Sequence, residues 1–108
     1  MGDAELKKGS AETLILALLS EGTLHGYGIA KRIEEKSDGV LQFHVTSLYP
    51  ILYRLEREGL LRSDWQQPEG GRRRRYYELT SDGEALLRER RADWRSFTDA
   101  VERVIEPA

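Results

Sequence analysis

The sequence predicts a mainly α domain with a small β-hairpin and a long C-terminal helix that pairs two chains. Three observations predict it. Apolar residues recur at helical spacing in four separate stretches. A run of four arginines follows a glycine-containing connector between two β-prone segments. The final stretch carries an apolar seam longer than so small a body can cover.

The bulk numbers bound the reading. A chain of 108 residues points to one domain with one modest core. Its 39% hydrophobic and 33% charged content is polar for that size and suits a domain completed by a partner subunit. Cysteine is absent, which excludes disulfides and thiolate metal sites, and nothing suggests secretion. The longest apolar run, residues 14–19, is far too short to span a bilayer, and the N-terminus lacks the basic-then-apolar order of a signal peptide. A cytoplasmic protein with no membrane partner is expected. The net charge of −2 does not by itself suggest nucleic acid, but residues 46–79 hold seven arginines against five acids, a local balance of +2.

Residues 1–9 show no apolar periodicity and are expected to form an arm. Ser10 is a plausible N-cap for a first helix whose stripe is Ala11, Leu14, Ile15, Leu18 and Leu19, with Glu12 suiting the dipole of its first turn and Gly22 ending it. Gly26 and Gly28 suggest a tight turn into a second helix, about Tyr27 to Ser37, with Ile29, Ala30 and Ile33 inward. This Gly-x-Gly is not a nucleotide fingerprint: no strand is expected before it and no third glycine follows in register. The two histidines, His25 and His44, have no accompanying carboxylate pattern, so structural roles are expected for both.

Ser37, Asp38 and Gly39 form a turn, and residues 40–45 link it to a third helix. Ser47 is its expected N-cap, because Pro50 then falls at N3, where a missing N–H loses no intrahelical bond. Gly59 supplies the stop. At 100° per residue Leu48, Leu52 and Leu55 share one arc, with Ile51 at its edge. Thr46, Pro50, Tyr53 and Arg57 lie opposite, flanked by Arg54. Hydroxyls, tyrosines and arginines suit a partner that offers phosphates and base edges, whereas an ordinary solvated helix face favours Glu and Lys.

Residues 60–67 and 74–80 have strand character around a turn-rich connector, residues 68–73. Arg72, Arg73, Arg74 and Arg75 thus sit on a hairpin, as a charged edge that deters strand pairing or as an anchor on phosphates. Beside the third helix, phosphate contact is the stronger reading. Thr80 or Ser81 caps the last helix, which places Asp82 and Glu84 in its first turn and runs to about Ile105, before Pro107. Leu87, Trp94, Phe97, Val101 and Val104 keep a 7-3-4-3 spacing along it, with Arg90 breaking the seam. A second copy of the chain is the simplest cover, and packing back on its own core is the alternative. The organisation expected is therefore an arm at 1–9, a winged helix-turn-helix at 10–80 and a dimerisation helix at 81–106.

Three blocks, in order, resemble the PadR family of bacterial transcriptional regulators: residues 24–29 (LHGYGI), 47–60 (SLYPILYRLEREGL) and 70–83 (GGRRRRYYELTSDG). The single C-terminal helix is similar to the family's short branch. The resemblance implies a homodimeric repressor on an inverted-repeat operator of double-stranded DNA. The third helix would enter the major groove through Ser47, Tyr49, Pro50, Tyr53, Arg54 and Arg57, and the hairpin would follow the backbone through its four arginines. It also implies a small planar aromatic effector between the C-terminal helices against Trp94, unless Trp94 only anchors the dimer. Arg90, Arg91 and Arg95 lie near enough in sequence to charge such a cavity.

Two other function classes compete. A winged helix also serves as a protein-interaction module, which the net acidity favours and the arginine hairpin opposes. An enzyme is excluded by the lack of a paired-carboxylate site, a cysteine nucleophile, a Gly-x-Ser-x-Gly elbow or a metal cluster. No cofactor is expected.

Overall fold

The computed structural model describes residues 3–107, with only the backbone described for residues 3–9. Its elements run α1 (Asp3–Leu19), β1 (Leu24–His25), α2 (Gly26–Lys36), α3 (Val45–Arg57), β2 (Leu61–Gln66), β3 (Arg74–Leu79) and α4 (Ser81–Ile105). Ile15, Leu16, Ile29, Leu48, Leu52 and Leu55 have no exposed surface, and Leu61, Tyr77, Leu79 and Leu87 close the same core from the sheet and α4. The first three helices bury most of the stripe read from their spacing, with Leu14 and Ala30 only partly buried and Leu16, outside the stripe read for α1, fully buried.

The sheet has the order β1-β3-β2, antiparallel throughout. Leu61 faces Leu79, Ser63 faces Tyr77 and Trp65 faces Arg75 across the hairpin, so these six side chains share one face. Its inner end, at Leu61, Tyr77 and Leu79, is core, and Trp65 at its outer end is exposed. Strand β1 was not expected. Its two residues pair with Tyr76 and Tyr77 and tie the entrance of α2 to the hairpin.

The helix starts differ from expectation at two places. Helix α1 begins at Asp3, so Ser10 lies within it and is not its cap, and the backbone of residues 3–9 is helical and not an arm; Met1 and Gly2 lie outside the described residues. Helix α3 begins at Val45, with His44 at the N-cap position and no side-chain cap bond, so Ser47 is not the cap and Pro50 lies inside the helix, not at N3. The Ser47 N–H already bonds the His44 carbonyl at 2.9 Å. Packing explains the earlier start. Phe43 and Tyr49 pack against the core, and the Val45 methyl and Tyr49 ring lie so close to Gly26 that a Cβ there would stand 3.0 and 2.8 Å from them. These contacts hold residues 45–47 in the first turn and offset the one backbone bond, to the Thr46 carbonyl, that Pro50 cannot make.

Gly26 and Gly28 accordingly form the first turn of α2 and not a separate tight turn, and a strand does precede them. The space a phosphate would need at Gly26 is filled by Tyr49. His25 has the structural role expected: its Nδ1 accepts the Gly28 N–H at 3.0 Å and caps α2. Helix α4 has the predicted limits and cap, Thr80 Oγ1 accepting from the Gly83 N–H at 3.1 Å. Leu87 is 3% exposed inside its own core, which removes it from the apolar seam expected to pair two chains; the exposed part of that stripe starts at Trp94. From there α4 projects from the body and lends the molecule its long dimension of 57 Å, against 29 and 21 Å across. None of the helices among the described residues is long and apolar enough to cross a membrane.

Candidate nucleic-acid interface

Opposite its buried leucines, α3 exposes Thr46, Ser47, Pro50, Tyr53 and Arg57. Tyr49 is half-buried and stacks on Tyr53, ring centres 5.9 Å apart and planes 11° from parallel. The pair forms a stiff aromatic step between α2 and the exposed face. Arg57 forms no ion pair among the described residues, so its guanidinium is available.

Arg54 is different. It donates to Glu12 of α1 at 3.0 Å and to Glu58 at 3.3 Å. The hydrogen bond to Glu12, with both carboxylates' charge, raises its pKa above the ordinary arginine value. The same Glu12 carboxylate takes Arg90 of α4 at 3.4 Å, which joins three helices at one acid.

The four wing arginines divide by partner. Arg75 shares the inner face of the hairpin with Tyr77 and points at α3, where its Nη2 donates to Glu56 at 2.7 Å and its Nε to Ser63 Oγ at 2.7 Å. Ser63 in turn donates to the other Glu56 oxygen at 2.5 Å. That network bolts the wing to α3, with the guanidinium also 5.9 Å from the Tyr53 ring centre. Arg74 faces the other side. It donates to His25 at 3.2 Å and lies 5.3 Å over Tyr27. Burial, and then the Arg74 charge, lower the His25 pKa, so the ring is held in the neutral form that capping requires. Arg73 lies over the Trp65 indole at 4.8 Å, and Arg72 is exposed with no ion pair among the described residues.

The structure thus brings Thr46, Ser47, Pro50, Tyr53 and Arg57 onto one open face and leaves Arg72 and Arg73 exposed on the hairpin. It turns Arg54, Arg74 and Arg75 partly inward. Sequence reasoning passed over Trp65, which is 53% exposed, and Glu56, and gave Glu12 a first-turn dipole role that the start of α1 at Asp3 removes; Glu12 instead holds Arg54, as Glu56 holds Arg75. Alternation along β2 was the available signal for Trp65, because it places that residue on the face of Leu61 and Ser63.

On α4, Trp94 and Phe97 are half-exposed, with ring centres 6.0 Å apart. With Glu12, Thr13, Arg90 and Asp93 they line a shallow groove of about 370 Å³. Arg90 does face it, balanced by two acids, whereas Arg91 and Arg95 are not among its lining residues. Among the described residues no cluster of His, Asp and Glu is arranged to hold a metal ion.

A three-helix core carrying a β-hairpin wing beside an exposed third helix defines a winged helix-turn-helix protein. Residues 15–89 match the PadR-like transcriptional regulator family, and the chain belongs to that family. Its fold is similar to that of a transcriptional regulator from Clostridium thermocellum, with a TM-score of 0.86 at 28% identity over 98% of this chain and 100% of that one. A PadR family transcriptional regulator from Eggerthella lenta superposes with a TM-score of 0.79 at 33% identity, covering 97% of this chain and 89% of the other. An uncharacterized protein of Lysinibacillus sphaericus is 26% identical over 95% of this chain and 94% of its own length. Membership implies a DNA-binding regulator of transcription.

Proposed function

We propose that the chain is a homodimeric, sequence-specific repressor that binds an inverted-repeat operator and is released by a small planar aromatic ligand. The observation that carries DNA reading is the open face of α3, where Thr46, Ser47, Tyr53 and Arg57 stand exposed, together with the exposed wing cations Arg72 and Arg73, which form no ion pair among the described residues. The first helical turn, which now includes Thr46 and Ser47, leads into the major groove, with Tyr49 and Pro50 behind it and Tyr53 and Arg57 following. Arg72 and Arg73 follow the phosphate backbone, and Arg54, Arg74 and Arg75 mainly position the two reading elements. Two such faces, related by a two-fold through the α4 seam of Trp94, Phe97, Val101 and Val104, would read half-sites about one helical turn apart. The groove at Trp94 supports a flat ligand against the indole.

Gel-shift titration of the DNA upstream of the coding region tests this reading. An inverted repeat there should be bound more tightly than random duplex, and Arg57→Ala should weaken operator binding by about 1–3 kcal/mol while leaving random duplex nearly unchanged. Equal losses on both would remove base reading from Arg57.

A protein-interaction module is the second reading, supported by the internal engagement of Arg54, Arg74 and Arg75, which leaves fewer cations for phosphates. Absence of salt-sensitive binding to any duplex would favour it.

A further inference from the structure

The outermost side chain on the inner face of the wing is Trp65. Leu61, Ser63 and Trp65 alternate along β2 against Leu79, Tyr77 and Arg75 of β3. Leu61, Tyr77 and Leu79 reach the core, and Ser63 and Arg75 reach Glu56. Trp65 reaches neither and leaves 53% of its surface in water. The core does not account for so large an exposed aromatic; it lies across from Arg75, whose guanidinium is 5.9 Å from the ring centre of the exposed Tyr53.

Arg73 lies over this indole at 4.8 Å. Stacking occupies the flat face of a guanidinium and leaves its N–H edge free, and a bidentate phosphate contact uses that edge. The other wing arginines lack this combination. Arg75 has spent its edge on Glu56 and Ser63, and Arg74 donates to His25. Arg72 has no described partner, so a phosphate must order it from a free rotamer population. Among the four wing arginines, Arg73 alone lies over an aromatic ring and makes no hydrogen bond or ion pair with the described residues. The adjoining connector carries one acid, Glu69, against Arg72 and Arg73, and Asp64 points to the opposite face from Trp65. The local field therefore favours an anion.

We propose that Trp65 and Arg73 act as one unit, the backbone clamp of the wing on duplex DNA. The indole holds the guanidinium for a phosphate beside the groove that α3 enters, and its exposed edge packs on the adjoining sugar. The clamp is indifferent to sequence, because phosphate and sugar are common to every step. This inference rests on the DNA-binding reading above.

The test uses the full chain labelled with 5-fluorotryptophan and a fluorescein-labelled duplex of random sequence at low salt. The chain has two tryptophans, so its 19F spectrum holds two resonances, assigned with Trp65→Phe. Duplex should shift or broaden the Trp65 resonance and leave that of Trp94 in place. By fluorescence anisotropy, Trp65→Ala and Arg73→Ala should each weaken binding roughly tenfold, on random duplex and operator alike, and the double variant little further, as expected of two residues acting together. Trp65→Phe, which keeps an aromatic platform, should retain most of the affinity and guards against loss through misfolding. If wild type binds duplex while both alanine variants stay within twofold of it and the Trp65 resonance does not move, the clamp is wrong and DNA binding stands. If wild type binds no duplex, both readings fall.

Discussion

Arg54 of α3 donates to the Glu12 carboxylate of α1 at 3.0 Å, and that carboxylate also receives Arg90 of α4 at 3.4 Å. The arginine that the sequence places at the flank of the recognition helix is therefore held back by an acid that also touches the long helix. Glu12→Gln should loosen it, leaving the exposed pair with Glu58 at 3.3 Å as its remaining carboxylate contact. Both arginine side chains are 40% exposed, so the loss of folding stability should be about 1 kcal/mol or less. Affinity for random duplex should rise and its salt dependence steepen by about one phosphate contact. Anisotropy titrations at several salt concentrations measure both, and the gain should vanish in the Glu12→Gln, Arg54→Ala double variant. An unchanged salt slope would mean that Arg54 stays clear of the backbone even when loosened.

The seam on α4 makes a separate prediction about assembly. Trp94, Phe97, Val104 and Ile105 are 50, 59, 84 and 71% exposed on a helix that extends past its own core. A monomer would leave that apolar band in water, an unusual surface for so small a protein. Phe97→Asp should convert a dimer to a 12.4 kDa monomer in sedimentation velocity and weaken operator binding, because one reading head loses its mate. Leu87→Asp should instead unfold the chain, since Leu87 belongs to the core. Wild type sedimenting as a monomer at micromolar concentration would remove the two-fold from the proposed mechanism.

Gly83 tests how α4 is docked. A Cβ at this position would overlap the Leu60 carbonyl oxygen, which is backbone and cannot swing aside, and would stand 3.1 Å from the Leu79 side chain. The Leu60 carbonyl also accepts the Thr80 N–H at 3.1 Å, and Thr80 Oγ1 caps the helix. Gly83→Ala should therefore cost about 3 kcal/mol in urea unfolding by forcing α4 away from the hairpin base. Gly39→Ala is the control. Its φ of +80° disfavours a side chain but nothing lies within 4 Å, so about 1 kcal/mol is expected.

How much of this was legible beforehand depends on whether a local pattern or a tertiary partner decides each feature. The limits of α4 and the hairpin followed from Thr80, the strand character of residues 60–67 and 74–80 and the turn-rich connector between them, all local signals. The start of α3 did not, because Val45 and Tyr49 packing at Gly26 outweighs the local preference for a Ser cap and for Pro at N3. Strand β1 is two residues long, too short to show alternation, and exists because Tyr76 and Tyr77 offer it a partner. The four arginines look equivalent in sequence. Only cross-strand register distinguishes them, since it turns Arg75 toward Glu56 and Arg74 toward His25.

The His25 cap should make folding sensitive to mild acid. Its Nδ1 accepts from Gly28 only when unprotonated, and burial with the Arg74 charge lowers its pKa in the folded state. The unfolded chain then binds the proton more readily, so the contribution is fully present above the ordinary value of 6.5 and is lost as pH falls through the depressed folded value. His25→Ala should cost about 1 kcal/mol at neutral pH through the lost cap. The gap from wild type should narrow at lower pH, measured as urea midpoints across the range. A gap that stays constant would show that protonation does not reach the cap.

Tyr77 predicts the opposite limb. Its ring is 1% exposed beneath α3 and its hydroxyl has no hydrogen-bond partner among the described residues. Burial pushes its pKa up from 10.0 to about 12, against the opposing pull of the Arg75 charge. A phenol with a raised folded value is stable in its neutral form below the unfolded value, and this contribution is lost as pH rises from 10.0 toward 12. The loss should approach about 2–3 kcal/mol across that window. Tyr77→Phe removes both the titration and the unsatisfied hydroxyl. At neutral pH the variant should be as stable as wild type or more stable by about 1 kcal/mol. Above pH 10 it should lose less stability than wild type, so the two curves diverge in alkali. A variant destabilised at neutral pH would mean that the hydroxyl has found an acceptor, with Tyr49, Tyr53 and Glu56 of α3 as the groups close enough to influence it.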